Sequence, residues 1–181
     1  IHAEKMSLDY VRWHKLPIVI TNPALLLGPG DELGSSTGDV KLFMEGNFKG
    51  IPGGGMCIVD ARDVATGLIL AMERGRIGER YLLGGENMTF EEMAQKLSQV
   101  TGIRAPSLKP SLAVSRLSTK IFRKLLPLFG KPFDLDDISV IMSYHFWYCD
   151  SSKAEEELGF HARDSIETFR DTVEDLKKRL A

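Results

Sequence analysis

The sequence predicts an α/β fold in which helices cover a partly parallel sheet. Short strand-like runs alternate with helix-like segments over residues 1–100, and this alternation is typical of α/β layer structures. The run Ile18–Ile20 is apolar and β-branched at each position, which indicates a strand buried on both faces. We therefore expect a single compact unit of 181 residues. The end of the sheet would occupy residues 1–100 and a mostly helical lobe residues 101–181.

Composition and charge argue against several classes of protein. The net charge is −2 at pH 7, so the clustered basic excess that nucleic-acid binding needs is absent. Cys57 and Cys149 lack CxxC spacing, which argues against a disulfide scaffold or a cysteine zinc site and fits a reducing, cytoplasmic location. No apolar stretch is long enough to span a bilayer, and the first residues do not resemble a signal peptide. We expect a small-molecule substrate, no nucleic acid and no stable membrane insertion.

The first elements follow from periodicity and from chain-breaking residues. Residues 1–15 are predicted to form an amphipathic helix that ends before Pro17. The strand Ile18–Ile20 follows, and glycines and prolines predict a loop over residues 24–34. The apolar face of the helix consists of Ala3, Met6, Tyr10 and Trp13.

The middle of the chain alternates between helices and strands. Asp63 is the expected cap of a helix over Val64–Arg74. Its buried face is predicted to consist of Ala65, Leu68, Ile69 and Met72. The neighbouring elements are predicted to be a helix over Asp39–Glu45 and strands over Met56–Val59 and Arg80–Leu83.

Helices dominate the remainder of the chain. Thr89 and Glu92 form a capping box at the start of a helix that ends near Val100. Further helices are predicted over Leu112–Phe129, Asp134–Tyr144 and Ser151–Leu158, the last after a cap at Asp150, with a short strand over Phe146–Tyr148. Ser165 is the expected cap of a final helix that runs to the C-terminus.

The usual phosphate-binding loops are absent from the sequence. Gly53–Gly55 precedes a strand instead of joining a strand to a helix, and Gly28 and Gly30 are followed by acidic residues. Neither pattern is a dinucleotide fingerprint or a Walker loop. The histidines have no metal-ligand spacing, and no GxSxG motif is present.

Two charged features have structural explanations that we favour. Asp60 and Asp63 are close enough in sequence for acid–base work, but helix capping and pairing with Arg62 explain them better. The helix Leu112–Phe129 is basic and apolar and could contact a membrane surface or an acidic ligand. Because the chain as a whole is slightly acidic, a cap helix with a solvated basic face is the preferred interpretation.

Five matches, in the same order, resemble the second half of extended short-chain dehydrogenases/reductases. They are Lys5–Asp9 with Leu16–Pro23, Gly28–Asp31, the junction Val59–Ala65, the strand Gly78–Gly85 and the helix Asp150–Phe160. The sequence is most similar to dihydroflavonol-reductase-like and sugar epimerase/dehydratase-like members. This resemblance implies the C-terminal part of a Rossmann-like NAD(P)-binding fold with a mostly helical substrate-binding lobe.

The resemblance implies a catalytic role for Lys5. In the family, a tyrosine exchanges a proton with the substrate oxygen while hydride moves to or from a nicotinamide ring. A lysine four residues later binds the nicotinamide ribose and lowers the tyrosine pKa, which is ordinarily about 10. Lys5 matches this lysine, although a solvated lysine on the surface of the helix is the alternative interpretation. The residue four positions before Lys5 is Ile1. We therefore expect this chain alone to be inactive.

The resemblance also indicates which residues face the cofactor, NAD or NADP. They lie at the carboxyl end of the buried strand, where open α/β sheets bind ligands. Local backbone capping by Asn22 explains that residue equally well. Those expected to face the cofactor, mostly through backbone groups, are Lys5, Asn22, Pro23, Ala24, Leu25 and Leu26. Candidate substrate contacts, which core packing would also explain, are Phe43, Met44 and Met56.

The expected function is that of the C-terminal portion of an NAD(P)-dependent oxidoreductase, epimerase or dehydratase. Its substrate would be a hydroxyl or carbonyl group of a small molecule or nucleotide sugar. The alternative, favoured by Ile1, is a non-catalytic relative that uses the substrate lobe for binding or assembly. A half-fold leaves one edge of Ile18–Ile20 unpaired, so we expect a homodimer or association with the N-terminal half that the resemblance implies.

Overall fold

The computed structural model describes residues 2–48, 50–125 and 137–180. In chain order the elements are α1 (His2–His14), β1 (Ile20–Pro23), β2 (Leu25–Leu27), α2 (Gly38–Met44), β3 (Gly55–Asp60), α3 (Ala61–Arg74), β4 (Arg80–Leu83), β5 (Glu86–Thr89), α4 (Phe90–Thr101), α5 (Leu112–Leu125), α6 (Asp137–Met142), β6 (Phe146–Trp147), α7 (Ser152–Leu158) and α8 (Ser165–Leu180). None of the helices within these described ranges is long and apolar enough to cross a bilayer.

The chain forms two compact units that interleave along the sequence. The first comprises Ile1–Thr37, Cys57–Glu86 and Cys149–Ala181, and the second Gly38–Met56 and Asn87–Tyr148. The sequence predicts a single unit in which the sheet and the helical lobe divide near residue 100. Local patterns cannot reveal such an arrangement, because strands distant in sequence pair with one another.

Parallel strand pairing confirms the predicted α/β class. β1 pairs with β4 and places Ile20 beside Arg80. β2 pairs with β3, with Leu25 beside Ile58, and the first residues of β3 pair with β6. β5 also pairs with β3. The strand pairs β1–β4, β2–β3 and β3–β6 are all parallel, as expected where helices connect successive strands.

The first strands differ from the prediction in position and burial. β1 begins at Ile20, whereas Ile18 and Val19 precede it and are half-buried, and its last two residues are exposed. Among the described residues β1 pairs with β4 alone, so it is not the doubly buried strand that its apolar run predicts. The predicted loop over residues 24–34 contains β2, because Leu25–Leu27 finds backbone partners on β3. Local breakers do not reveal such a distant partner.

The core of the first unit lies where α3 and α7 pack on β4. Tyr81, Leu83, Leu158 and Phe160 are almost completely buried there. Gly67 of α3 faces this cluster, and a Cβ atom at this position would lie 3.0 Å from side-chain atoms of Leu83 and Phe160. A small residue therefore permits the close approach of α3 to the sheet.

The buried face of α3 was predicted wrongly. The residues that face inward are Asp63, Val64, Gly67 and Ala71. Three of the larger apolar residues, Leu68, Ile69 and Met72, are 48%, 53% and 80% exposed. Hydrophobicity alone selects the wrong face because the packing surface of this helix is built from small residues.

The remaining elements mostly follow the prediction. The capping box of α4 is confirmed, since Thr89 Oγ1 accepts from the Glu92 N–H and Glu92 accepts from the Thr89 N–H. At the start of α8, Asp164 accepts from the Ile166 N–H, whereas Ser165 donates to Glu86, so the predicted serine cap is wrong. The carboxylate one residue earlier takes the cap position instead. Ile1 and the predicted helical residues 126–129 and 134–136 lie outside the described residues.

Candidate functional site

The carboxyl end of β1 carries the predicted nicotinamide-facing turn. Asn22 and Pro23 are exposed there, and the chain then enters β2, whose first two residues are half-buried. The Ala24 N–H donates to the Leu83 carbonyl at 3.0 Å. Because Pro23 has no N–H and that of Ala24 is engaged, the polar groups that this turn offers are the Asn22 amide and backbone carbonyls. These groups, one side-chain amide and several carbonyl acceptors, can hydrogen-bond the carboxamide of a nicotinamide.

Lys5 lies on the exposed surface of α1. The described residues of this helix include no buried side chain. Its neighbour Glu4 is fixed differently, because Glu4 Oε1 accepts from Arg80 Nη1 at 2.6 Å. An exposed ammonium on a helix next to the sheet can serve as the ribose-binding lysine that the resemblance implies. This role, like those of the turn residues, stays a prediction.

A cavity of about 540 Å³ lies between α1 and the neighbouring strands. Glu4, Ile20 and Arg80 line it, and the Lys153–Glu79 ion pair, 2.7 Å long, lies at its wall. Ile20 and Arg80 begin their strands, so much of this cavity lies at the amino ends of β1 and β4. Open α/β sheets bind ligands at the opposite edge, and Lys5 is not among its lining residues. We therefore do not assign the cofactor to it.

The predicted substrate contacts all lie in the second unit. Phe43 is 3% exposed, and it and Val40 are the buried residues of α2. Met44 and Met56 are half-buried, and Met56 lies beside Trp147 in the β3–β6 pair. None of the three lines the cavity of about 410 Å³ in this unit. Their contact with substrate stays a prediction.

The second cavity does not follow from the predicted site residues. It is lined by the turn Gly53–Gly54 and by Lys109, Pro110 and Tyr144, among others. The Tyr144 hydroxyl lies 2.7 Å from both the Pro110 carbonyl and Ser115 Oγ, while Lys109 Nζ donates to Glu91 at 2.6 Å. The feature of the sequence that indicates this cavity is the glycine run Gly53–Gly55, because glycines without a Cβ atom allow another backbone segment to approach closely.

The glycine run serves backbone pairing. The Gly54 N–H donates to the Ser143 carbonyl and the Gly55 N–H to the His145 carbonyl, both at 3.1 Å. A Cβ atom at Gly54 would lie 2.4 Å from the His145 carbonyl oxygen. These two amides are therefore used inside the unit, and this explains why the run does not have the form of a phosphate loop.

Asp60 and Asp63 are ion-paired carboxylates, and their roles differ from the prediction. Asp60, not Asp63, caps α3 by accepting from the Arg62 N–H, and it also binds the Arg62 guanidinium at 2.7 Å. Burial raises the pKa of Asp60, but hydrogen bonds from Arg62 and Thr168 together with the charge of Arg163 outweigh burial and hold that pKa below its ordinary value. Asp63 accepts from the backbone N–H and guanidinium of Arg163. The helix begins earlier than predicted, and this moves the cap to Asp60.

The GPGD segment is ordered by its aspartate. Asp31 Oδ2 accepts from the N–H groups of Ser36 and Thr37 at 2.9 and 3.0 Å. These hydrogen bonds lower the pKa of Asp31 to about 2. The Gly30 N–H in turn donates to Asp175 of α8 at 3.1 Å. This part of the motif is therefore a structural loop on the first unit.

The two cysteines meet inside the first unit. Cys149 Sγ lies 3.1 Å from Cys57 Sγ, and Cys57 is 2% exposed. Burial, and secondarily the Cys149 thiol, raises the pKa of Cys57 to about 12. Cys57 is therefore a protonated core thiol at neutral pH.

Comparison with known proteins identifies relatives of the chain, although no family model matches it. It is 33% identical over 161 residues to a dihydroflavonol 4-reductase by name from Synechocystis, covering 86% of this chain and 47% of the relative. It is 32% identical over 169 residues to sterol demethylase protein B from Methylococcus capsulatus, covering 91% of this chain and 51% of the relative. The chain thus spans about half the length of the curated relatives it matches.

Solved structures share the fold. A nucleoside-diphosphate-sugar epimerase from Pseudomonas aeruginosa superposes with a TM-score of 0.79 at 26% identity, over 98% of this chain and 53% of the epimerase. The dTDP-glucose 4,6-dehydratase DesIV from Streptomyces venezuelae, solved with NAD, has a TM-score of 0.66 at 19% identity, and the match covers 97% of this chain and 48% of DesIV. RMD from Pseudomonas aeruginosa, solved with NADPH, has a TM-score of 0.64 at 12% identity, and the match covers 98% of this chain and 53% of RMD.

The parallel strands and the superpositions define a Rossmann-like α/β fold of the reductase and epimerase type. The two sequence relatives show in addition that the chain is similar to a protein named as a reductase and to sterol demethylase protein B. Its similarity is to dihydroflavonol-reductase-like and sugar epimerase/dehydratase-like proteins.

Proposed function

We propose that this chain is part of a nicotinamide-dependent oxidoreductase, epimerase or dehydratase that acts on a hydroxyl or carbonyl group. The observation that carries the proposal is its 33% identity over 161 residues to a protein named as a reductase. Fold neighbours solved with NAD and with NADPH support a nicotinamide cofactor.

Lys5 and Asn22 are the residues through which this chain would hold the cofactor. A bound nicotinamide supplies or accepts hydride. The Lys5 ammonium would donate to ribose hydroxyls, and the exposed Asn22 amide would bond the carboxamide at the carboxyl end of β1. Both side chains are exposed, so neither loses a buried partner when a ligand binds.

Residues 1–181 by themselves would not complete the reaction. The sequence contains no glycine-rich phosphate loop, and Ile1 stands where the family tyrosine would precede Lys5. Without the phenol there is no group to exchange a proton with the substrate oxygen. Without the loop, the cofactor's pyrophosphate lacks the backbone N–H groups and helix N-terminus that would bind it.

Titration of the purified chain with NADH and NADPH tests this proposal. We expect weak binding that Lys5→Ala and Asn22→Ala weaken further, because each removes a hydrogen-bonding partner of the nicotinamide nucleoside. Arg12→Ala is the matched control, since it removes an exposed cation from the same helix.

Two outcomes would contradict the proposed cofactor site. Submicromolar binding by the isolated chain would show that the cofactor does not need the absent loop. Equal weakening by Arg12→Ala and Lys5→Ala would show that any cation on α1 serves, and that Lys5 has no specific role.

The substrate class follows from the two groups of relatives. Nucleotide-sugar enzymes among the fold neighbours support a sugar nucleotide. The relative named sterol demethylase protein B supports an apolar alcohol or ketone instead. A thermal-shift comparison of a uridine or thymidine diphosphate sugar with a hydroxysteroid distinguishes them, because a ligand that binds the folded state raises the midpoint temperature.

A non-catalytic binding or assembly role is the second candidate function, and Ile1 favours it. A protein of this kind would bind a substrate-like ligand through the second unit without oxidising NADH. If a sugar nucleotide stabilises the protein and NAD(P) produces no effect even at millimolar concentration, this candidate replaces the enzyme.

We propose further that α1 mediates self-association or contact with an N-terminal half. Its exposed apolar residues Met6, Tyr10 and Trp13 are 58%, 46% and 79% exposed, and such a stripe on one helix is typical of an interface. Trp13→Glu should shift the chain to monomer in light scattering, whereas Met72→Glu on α3 should not. A parent chain that is monomeric at high concentration would refute self-association.

A further inference from the structure

Helix α5 is inverted with respect to the usual amphipathic pattern. Its inward residues include three with hydroxyl groups besides the half-buried Leu112. Thr119 is 3% exposed, Ser118 is half-buried, and Ser115 Oγ lies 2.7 Å from the Tyr144 hydroxyl. Its outward residues include Val114, Leu117 and Ile121, which are 57%, 61% and 45% exposed. A surface helix normally places its apolar stripe toward the core. Here the unit is packed through hydroxyl groups, and the apolar stripe faces outward.

A basic stripe lies beside this apolar stripe. At about 100° per residue, Val114, Leu117 and Ile121 span an arc of about 60°. Arg116, Lys120 and Arg123 are also exposed and fall within a neighbouring arc of about 60°. Residues 112–125 contain no Asp or Glu, although the whole chain has a net charge of −2. The positive charge is therefore concentrated on the helix that exposes apolar side chains.

We propose that the outward face of α5 docks on an anionic lipid bilayer. A helix with adjacent apolar and basic stripes matches the boundary between acyl chains and anionic headgroups, where it lies parallel to the surface without crossing it. The charge complementarity selects this occupant, because cations attract anionic lipid from the aqueous phase while the apolar stripe enters the boundary.

Exposed aromatic residues occur in the same unit. Phe146, Trp147 and Tyr148, which follow α6, are 57%, 48% and 45% exposed, and α6 packs against α5. Tryptophan and tyrosine are enriched at membrane–water interfaces, where an apolar ring with a polar atom is favoured. The second unit thus exposes aromatic side chains of the kind that membrane–water interfaces favour.

Vesicle flotation of the full chain tests the proposal. We expect the parent to float with vesicles of phosphatidylcholine and phosphatidylserine and to remain unbound with phosphatidylcholine alone. Arg116→Gln/Lys120→Gln should weaken binding about fivefold for each charge removed. Leu117→Ser/Ile121→Ser should abolish flotation. The control Leu68→Ser/Met72→Ser removes exposed apolar residues from α3 and should float like the parent.

Several outcomes would overturn the proposal. The first is a parent that does not float, or that floats equally well with neutral vesicles. The second is equal loss in the α3 control. The third is an α5 variant that floats like the parent but changes from dimer to monomer, since a second copy would then cover the stripe. Release of the parent by high salt provides a measurement that needs no variant, because salt screens the lipid charge.

Discussion

Arg163 and Asp63 are joined across 100 residues of chain by a two-pronged ion pair. Asp63 accepts from Arg163 Nη2 at 2.8 Å and Nε at 3.0 Å, and it also accepts from the Arg163 backbone N–H at 2.8 Å. Asp63 is buried at the first turn of α3, whereas Arg163 precedes α8. This contact ties the C-terminal segment to α3 within the first unit.

Replacing Asp63 with Asn should destabilise the protein by about 2–3 kcal/mol, because it removes the charge of the carboxylate that lies nearest to the partly buried Arg163 guanidinium. Urea unfolding measures this change. Glu167→Gln is the matched control. It removes a more exposed carboxylate that also pairs with Arg163. Because the Glu167 side chain is 52% exposed, the loss should be less than about 0.5 kcal/mol. Equal losses of unfolding free energy in the two variants would mean that the Asp63 ion pair stabilises the protein no more than the exposed Glu167 pair does.

Gly54→Ala should lower the free energy of unfolding of the second unit by about 1–3 kcal/mol. The new Cβ would meet the carbonyl oxygens of His145 and Ser143 at 2.4 and 2.5 Å, and backbone atoms cannot move aside cheaply. Gly38→Ala is the control, because a Cβ there meets nothing within 4 Å. Thermal unfolding should show a lower midpoint for Gly54→Ala alone, and an unchanged midpoint would refute the close approach of these segments.

Acid should weaken the protein partly through Asp31. The pKa of Asp31 is lowered to about 2 in the folded state by the Ser36 and Thr37 N–H groups, from an ordinary value of 3.8. The stabilisation is therefore present above the ordinary value and is lost as the pH falls toward about 2. Urea unfolding at a series of pH values measures it. Asp31→Asn should flatten this acid limb, whereas Glu32→Gln in the same loop should leave it steep.

Iodoacetamide should modify Cys149 at least about tenfold faster than Cys57, because the thiolate is the reactive form and the pKa of Cys57 is raised to about 12. Mass spectrometry of digested protein gives both rates. In Cys149→Ser, Cys57 should stay unmodified until the chain is unfolded in urea. Rapid native labelling of Cys57 would contradict its burial.

Local sequence determined much of the secondary structure. The capping box at Thr89 and Glu92, the strand Arg80–Leu83 and the short helix near Val40 follow from side chains that interact within a few residues. The order of these elements also predicted the α/β class, because parallel strands need helical connections. For the candidate site, the resemblance supplied Lys5 and Asn22, whose exposure the structure then described.

Only the tertiary structure decided which surfaces are buried. Leu68 and Met72 were predicted to lie in the core, yet α3 packs through Gly67 and Ala71 because small residues bring it close to the sheet. Helix α5 likewise packs through hydroxyl groups and exposes Leu117. The carboxylate of Asp63 is neutralised by a guanidinium 100 residues away. Sequence periodicity identifies a helix and its apolar side, but contacts between distant segments determine the face that loses water.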